Sequence, residues 1–273
     1  EGGNLGFTQR ARVEYALAGG LIFTDAIDNS AGVDCSDHEV NIKILLDRLV
    51  VEGVLDQDAR DAVLVEMTDE VSALVLADNR AQNAVLGLSR GNAVHDLDIH
   101  ARMVADLVAR RALDPAIEGL PDAAGFAARG AAGEGLSGPE LAVVLAHAKL
   151  DAKSAVLETD LPDLSDVENR LTSYFPPALT DRHLSQLAQH PLRREIVATS
   201  LVNQMIDRSG LTYAFVLREA TGATPADALR AFLIVSAVFD LPDLWARTDE
   251  LPGTVPVEPV DDVVRETHRF LVR

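Results

Sequence analysis

The chain has 273 residues, of which 48% are apolar and 25% are charged, and its 43 acidic and 24 basic residues leave a formal net charge of −19. A surface this negative repels phosphate backbones, so nucleic-acid binding is disfavoured. The single cysteine, Cys35, excludes an internal disulfide framework and a zinc site built from cysteines. Apolar runs fall short of the roughly 18 residues that span a bilayer, and we expect no signal peptide. We therefore predict a cytoplasmic protein without nucleic-acid or membrane partners.

The first fifty residues have the pattern of an α/β unit. Thr8 is a candidate N-cap for a helix over residues 9–18, and residues 21–24 have the composition of a short buried strand. Ser36 and Glu39 match the capping-box pattern, which predicts that an amphipathic helix begins at Ser36. Helix, strand, polar turn and helix in this order indicate the closing edge of an α/β domain.

The remainder of the sequence predicts helices only, so the fold class is mainly α. A Gly-, Ala- and Pro-rich stretch over residues 117–135 predicts a long connection. Capping boxes at residues 137–140 and 165–168, and Pro225 directly after Thr224, predict three further helix starts. Apolar residues recur with a helical period, between capping signals, at residues 58–67, 68–88, 96–113, 138–158, 191–208, 213–220, 225–239 and 261–273.

Two motifs have ordinary structural explanations that we prefer. Residues 87–91 match the G-x-S-x-G string of serine hydrolases, but that motif needs a preceding strand, and the residues before it keep a helical period. Lys149 and Lys153 share one helix face, which is typical of solvated lysines. We predict neither a hydrolase nucleophile nor a reactive lysine here.

Histidine occurs near possible ligands or nucleophiles at two places. His95 and His100 flank two aspartates, but on a helix they lie about 140° apart and cannot both face one ion, so we predict no metal site. Cys35 lies just ahead of the expected helix start at Ser36, with His38 three residues on, which would suit a thiolate nucleophile. A small buried cysteine is the preferred interpretation.

Two polar turns flank the first helix and strand. Asn4, in the first turn, and Asn29, in the second, carry amides that donate and accept at once, as a carboxamide ligand such as nicotinamide requires. Ser36, with the N–H groups of the helix expected to follow it, would receive a carboxylate. The two turns together predict the rim of a ligand cleft.

Residues 1–46 resemble the end of the NAD-binding domain of glutamate dehydrogenases. That family has an E-G-A-N-like motif, which residues 1–4 match, and later N-A-G-G-V-x-x-S, which residues 29–36 match except at Ser30 and Ala31. The amino-acid sequence of residues 28–39 is more similar to the large NAD-specific bacterial class than to the small hexameric enzymes. That class also has a helical C-terminal domain, which further segments resemble, at residues 136–142 and 190–196.

The resemblance implies NAD as cofactor, with L-glutamate and 2-oxoglutarate as the ligands of the substrate pocket. It implies that Gly3, Asn4 and Asn29 lie on the cofactor side. Val33 and Ser36 would line the pocket for the glutamate side chain, with Ser36 binding its distal carboxylate.

The family's catalytic lysines and aspartate, and its dinucleotide glycine loop, are expected upstream of Glu1. We therefore expect no catalytic residue and no metal ligand in this chain, which would be inactive by itself.

The resemblance predicts two domains within a C-terminal part of an NAD-dependent glutamate dehydrogenase that forms homo-oligomers. Residues 1–50 would be the end of the Rossmann-like NAD-binding domain with a joint helix, and residues 51–273 an all-helical domain. We expect apolar residues of the first segment to pack on the helical domain or on a neighbouring copy, among them Val13, Tyr15, Leu17, Ile22 and Phe23. The alternative is a helical structural or oligomerisation module without a catalytic role.

Overall fold

The computed structural model describes residues 6–111, 113–167 and 169–273, and these residues are mainly α-helical. Two short 3₁₀ turns, Leu161–Asp163 and Ser165–Val167, precede α10. The helices are α1 Gln9–Leu17, α2 Asp25–Asp28, α3 Ser30–Val51, α4 Gln57–Glu66, α5 Thr68–Gly91, α6 Leu97–Arg111, α7 Pro115–Glu118, α8 Ala123–Ala132, α9 Gly138–Leu157, α10 Asn169–Tyr174, α11 Pro177–Leu187, α12 Arg193–Ser209, α13 Tyr213–Thr221, α14 Pro225–Val238, α15 Leu241–Asp249 and α16 Val257–Val272.

Helix α9 is the centre of the core and packs against α12, α5, α14 and α1. Its Leu141, Val144 and Val156 have no exposed surface, and neither have Leu201 and Met205 of α12. The predicted capping box begins α9, because the Ser137 N–H donates to Glu140 at 2.7 Å. A helix buried on several faces needs few polar positions, and α9 accordingly carries apolar residues on nearly all sides.

The mainly α fold class is confirmed, but the predicted strand at residues 21–24 is wrong. Across the described ranges, the only β-bridge is an isolated one between Pro252 and Val255. A strand needs a partner ladder, and side chains satisfy this backbone instead: the Phe23 N–H donates to Asp28 at 2.9 Å, and Arg12 donates to the Phe23 carbonyl at 3.2 Å. The Rossmann-like edge is therefore not seen in the described part of the chain.

The predicted helix start at Ser36 is also wrong. Helix α3 begins at Ser30, so Ser36 is its seventh residue. Glu39 does not reach back to Ser36 but pairs with Lys43 one turn later. The capping-box letters are compatible with an ordinary helix interior, and the turn that starts the helix lies at Asn29 (φ −122°, ψ 48°).

The stretch over residues 117–135 is not a continuous connection, since it contains the end of α7 and the whole of α8. Asp114 and Asp122 cap these two helices by accepting backbone N–H bonds at 2.9 and 2.8 Å. Composition concealed them because alanine is both a linker residue and the strongest helix former. The helix start predicted at Ser165 falls in a 3₁₀ turn just before α10, and sequence reasoning missed two helices nearer the C-terminus, α11 and α15.

The N-terminal segment packs on the first turn of α9, as expected for part of its apolar residues. Val13 and Ile22 are buried, and Phe23 contacts the core, whereas Tyr15 and Leu17 are about half exposed. A Cβ on Gly138 would lie 2.9 Å from the Ile22 carbonyl oxygen, so only glycine permits this close approach.

No helix in the described ranges combines the length and the apolar character that crossing a membrane requires.

Candidate functional site

The three described residues predicted to bind ligands lie at the N-terminal end of α3. Val33 and Ser36 are three residues apart on one face of the helix, and Asn29, the residue before α3, lies four residues ahead of Val33. These three residues are named here the ligand face. Ser36 is exposed, and the other two are partly buried. The opposite side of α3 carries Leu45 and Leu49, which have no exposed surface. The structure therefore brings the predicted residues together at the surface of a firmly packed helix.

Amide side chains of α5 hold the start of α3 in place. Asn79 donates to the Ile27 carbonyl at 2.9 Å and to the Ser30 hydroxyl at 2.8 Å. Asn83, one turn later, donates to the Asn79 side-chain oxygen at 3.1 Å. Sequence reasoning missed these residues, although two asparagines four apart inside an apolar helix are an available signal of a polar contact.

Gly32 gives the Asn29 side chain its place over the first turn of α3. A Cβ at Gly32 would lie 2.9 Å from the Asn29 side-chain nitrogen. Any larger residue would therefore displace this amide, which is the group predicted to bind the cofactor. Gly32 therefore leaves room for the Asn29 amide and is not needed to form a turn.

Arg12 of α1 fixes the segment that leads into α3. Its side chain is 2% exposed, pairs with Asp25, lies 3.7 Å from Asp28 and donates to the Phe23 carbonyl. A buried guanidinium needs such partners because its desolvation is costly. Arg12 was not among the sequence candidates, since nothing in the local pattern marks an arginine as buried.

Behind the ligand face, a cleft of about 540 Å³ lies between α3, α5, α9, α10 and α12. Its acidic side is formed by Asp34 and Asp37 of α3, Asp78 of α5 and Asp207 of α12. Basic side chains also line it, namely Lys153, Arg170 and Arg208.

Burial and repulsion between carboxylates raise the pKa of two acids in this cleft, Asp34 and Asp207. Burial, followed by the charge of Asp78, raises the pKa of Asp34 to about 6, against the lowering effect of His38. Burial also raises the pKa of Asp207, although Lys149 lies 3.2 Å away. The expectation of a solvated Lys149 is wrong, because its side chain is 15% exposed and holds this ion pair. Lys153 is partly buried on the wall of the cleft.

Asn41 and three rings join α3 to the other walls of the cleft. Asn41 donates its amide to the Tyr174 hydroxyl at 2.7 Å, and the His38 and Tyr174 rings stack with centroids 4.5 Å apart. The Leu192 N–H donates a hydrogen bond to Nδ1 of His190 at 3.0 Å. The ring proton is therefore on Nε2, which donates to the Asn41 carbonyl oxygen. Burial lowers the pKa of His190 and raises that of Tyr174 to about 12, which keeps both rings neutral at pH 7.

The other sequence candidates lie outside this arrangement. Gly3 and Asn4 fall outside the described residues. The G-x-S-x-G string, at residues 87–91, is helical within α5 and so lacks the strand and turn of a hydrolase. His95 is exposed while His100 is buried, so the two do not share one environment. Cys35 lies inside α3 rather than at its start, which removes the argument for an activated thiolate.

Family comparison accounts for both halves of the chain. Residues 133–273 match the family described as glutamate dehydrogenase, C-terminal, and residues 1–89 match that described as bacterial NAD-glutamate dehydrogenase, catalytic domain. The chain belongs to the glutamate dehydrogenase C-terminal family.

Similar proteins carry a consistent name. The NAD-specific glutamate dehydrogenase of Mycobacterium tuberculosis is 48% identical over 273 residues, and that of Halomonas elongata is 38% identical over 273 residues. That of Pseudomonas aeruginosa is 42% identical over 258 residues, or 94% of this chain. The first two matches cover the whole chain, but the chain spans only 16–17% of the length of these curated relatives.

Proposed function

We propose that this chain forms part of the cofactor and substrate site of an NAD-dependent glutamate dehydrogenase, which converts L-glutamate to 2-oxoglutarate and ammonia. The observation that carries the proposal is the anchored, outward-facing surface of Asn29, Val33 and Ser36 on α3. Relatives matched along the whole chain and named NAD-specific glutamate dehydrogenases support it.

Each residue has a separate role in this proposal. Asn29 and Asn4 contact NAD, because an amide side chain can donate to and accept from the nicotinamide carboxamide, and Gly3 lies next to Asn4 on the same cofactor side. NAD, when bound, supplies the acceptor for the hydride that leaves the substrate carbon. Val33 contacts the methylene groups of glutamate, and the Ser36 hydroxyl donates to its distal carboxylate.

The position of Ser36 inside α3 changes how the distal carboxylate of glutamate would be bound. Because Ser36 lies within α3, the backbone N–H groups after it bond inside the helix and do not face a ligand. The hydroxyl is then the sole contribution of this position, worth roughly 1.5–3 kcal/mol as a hydrogen bond to a charged group.

The test is a pair of serine variants in the full-length protein. Ser36→Ala should raise KM for glutamate about tenfold or more while KM for NAD is unchanged. Ser72→Ala is the matched control, because Ser72 is also an exposed serine inside a helix and only bonds the Thr68 carbonyl at 2.9 Å. Equal KM values for the two variants would place the carboxylate elsewhere.

We also propose self-association through a groove between α15 and α16. Phe239 and Phe270, with ring centroids 4.8 Å apart, are 58% and 40% exposed at its edge, and Leu244 and Val263 line it. Exposed apolar surface of this kind favours a protein interface. Phe270→Glu should lower the oligomeric mass in light scattering, whereas Val65→Glu on the exposed side of α4 should not.

The cytoplasm is the compartment we propose, because the lone Cys35 gives the chain no internal disulfide for an oxidising environment.

A further inference from the structure

Three side chains from α3 and α5 converge at the inner end of the cleft. The ligand atoms that Asp34, His38 and Asp78 can offer all lie within 4.8 Å of one another. Asp34 and His38 are one turn apart on α3, and Asp78 approaches them from α5. These three residues are named here the α3–α5 cluster, and its Asp34 and His38 lie on a different face of α3 from Val33 and Ser36.

The histidine of the α3–α5 cluster lacks the partners that a buried imidazole normally has. The His38 side chain is 3% exposed, and its Nε2 lies 3.6 Å from the Asp78 carboxylate, too far for a hydrogen bond. Among the described residues, neither Nδ1 of His38 nor the buried Oδ2 of Asp34 has a hydrogen-bond partner. Buried polar atoms are rarely left in this state, and a bound ion is one explanation of such a gap.

The carboxylates around the cluster also lack a direct ion pair, although three basic side chains line the same cleft. In the part of the chain that the structure describes, Asp34, Asp37 and Asp78 form no ion pair with lysine or arginine. Arginines elsewhere pair repeatedly with acids, as Arg182 does with Glu66 at 2.6 Å. Lys149, whose charge reaches Asp34, is engaged by Asp207. A cation at this position would remove the repulsion between the carboxylates.

We propose that Asp34, His38 and Asp78 bind a divalent transition-metal ion that links α3 to α5. One imidazole and two carboxylates suit Zn²⁺ or Co²⁺, whereas Mg²⁺ prefers oxygen ligands alone. Water from the open cleft completes the coordination. The ion is structural, since it lies away from the face of α3 that carries Ser36.

The three side chains can coordinate one ion after a small movement of the Asp78 side chain. Ligand atoms about 2.1 Å from one zinc ion lie at most about 4.2 Å apart, slightly less than the spread of the cluster. Asp78 is 45% exposed, so its side chain can rotate inward without disturbing the core. The buried His38, held by its stack on Tyr174, provides the rigid side of the site.

The experiment measures Co²⁺ binding to chelator-treated full-length protein by visible absorption and by bound metal per protomer. Wild type should bind one more Co²⁺ ion per protomer than Asp78→Asn. The apparent Co²⁺ affinity of this site should be at least about tenfold lower in the variant. His38→Gln should behave likewise. Zn²⁺ should displace the Co²⁺ spectrum, and Mg²⁺ should not.

The matched control is His147→Gln. His147 also lies 3.6 Å from a carboxylate, that of Glu118, but among the described residues no second acid joins them in a metal-sized group. This variant should bind Co²⁺ as wild type does. If wild type takes up no ion, or if all variants bind equally, the proposal is wrong. Because Asp78 is half exposed, Asp78→Asn keeps the test valid even if His38→Gln does not fold.

Discussion

The Asn79 side chain donates a hydrogen bond to the Ser30 hydroxyl at 2.8 Å and thereby ties the first residue of α3 to the middle of α5. Because the ligand face begins at this point, hydrogen bonds from α5 position ligand-face residues at the start of α3. Asn79→Ala should speed hydrogen exchange in residues 27–33 and raise KM for glutamate. Gln57→Ala, which removes an exposed amide bonded to Asp61, is the control and should change neither. Unchanged exchange in Asn79→Ala would show that packing alone holds the helix start.

Arg12 should contribute much more to stability than its neighbour Arg10. Arg12→Met leaves Asp25 and Asp28 without their buried partner and should lower the free energy of unfolding by about 3–5 kcal/mol, the usual cost of breaking a buried ion pair. Arg10→Met removes only an exposed pair with Glu14 and should cost less than about 1 kcal/mol. Urea denaturation measures both, and equal midpoints would contradict the burial argument.

Replacing Gly32 should weaken NAD binding without lowering the stability of the fold. Gly32→Ala gains up to about 1 kcal/mol of helix propensity, but its Cβ pushes the Asn29 amide aside. We expect an unchanged or higher melting temperature with a raised KM for NAD in the full-length protein. Gly87→Ala in α5 meets no atom within 4 Å and should raise stability without altering KM. A wild-type KM for NAD in Gly32→Ala would remove Asn29 from the cofactor site.

His268 should make the helical region sensitive to mild acid. Burial lowers the pKa of His268 from 6.5 to about 4, so the folded chain binds this proton less readily than the unfolded chain does. The stability that depends on neutral His268 is complete above pH 6.5 and is lost as pH falls towards 4. Gly210, whose Cβ would lie 3.0 Å from the ring, shows how closely α16 packs there.

The variant His268→Gln should flatten this acid dependence between pH 6.5 and 4, measured by the urea midpoint at several pH values. His147→Gln, at a partly exposed site beside Glu118, is the control and should keep the wild-type slope. Parallel slopes for all three proteins would assign the acid sensitivity to other groups.

Local patterns in the sequence identified most of the helices after residue 50. The capping box at Ser137 and the Thr224–Pro225 start were confirmed, because a cap depends on residues within one turn of each other. The same reasoning failed at Ser36, where the letters of a capping box lie in a helix that begins two turns earlier. Helix α3 extends back to Ser30 because α5 supplies hydrogen bonds that no local pattern contains.

The sequence by itself determined the helical composition and, through motif resemblance, the residues expected on the ligand face. Only the tertiary structure decided that Arg12 is buried, that residues 21–24 form no strand, and that Asp34 and His38 meet Asp78, which is at least forty residues away in the sequence. The physical reason is the range of each interaction. Helix propensity and capping act over a few neighbouring residues, whereas the burial of a charge depends on which distant helices pack around it.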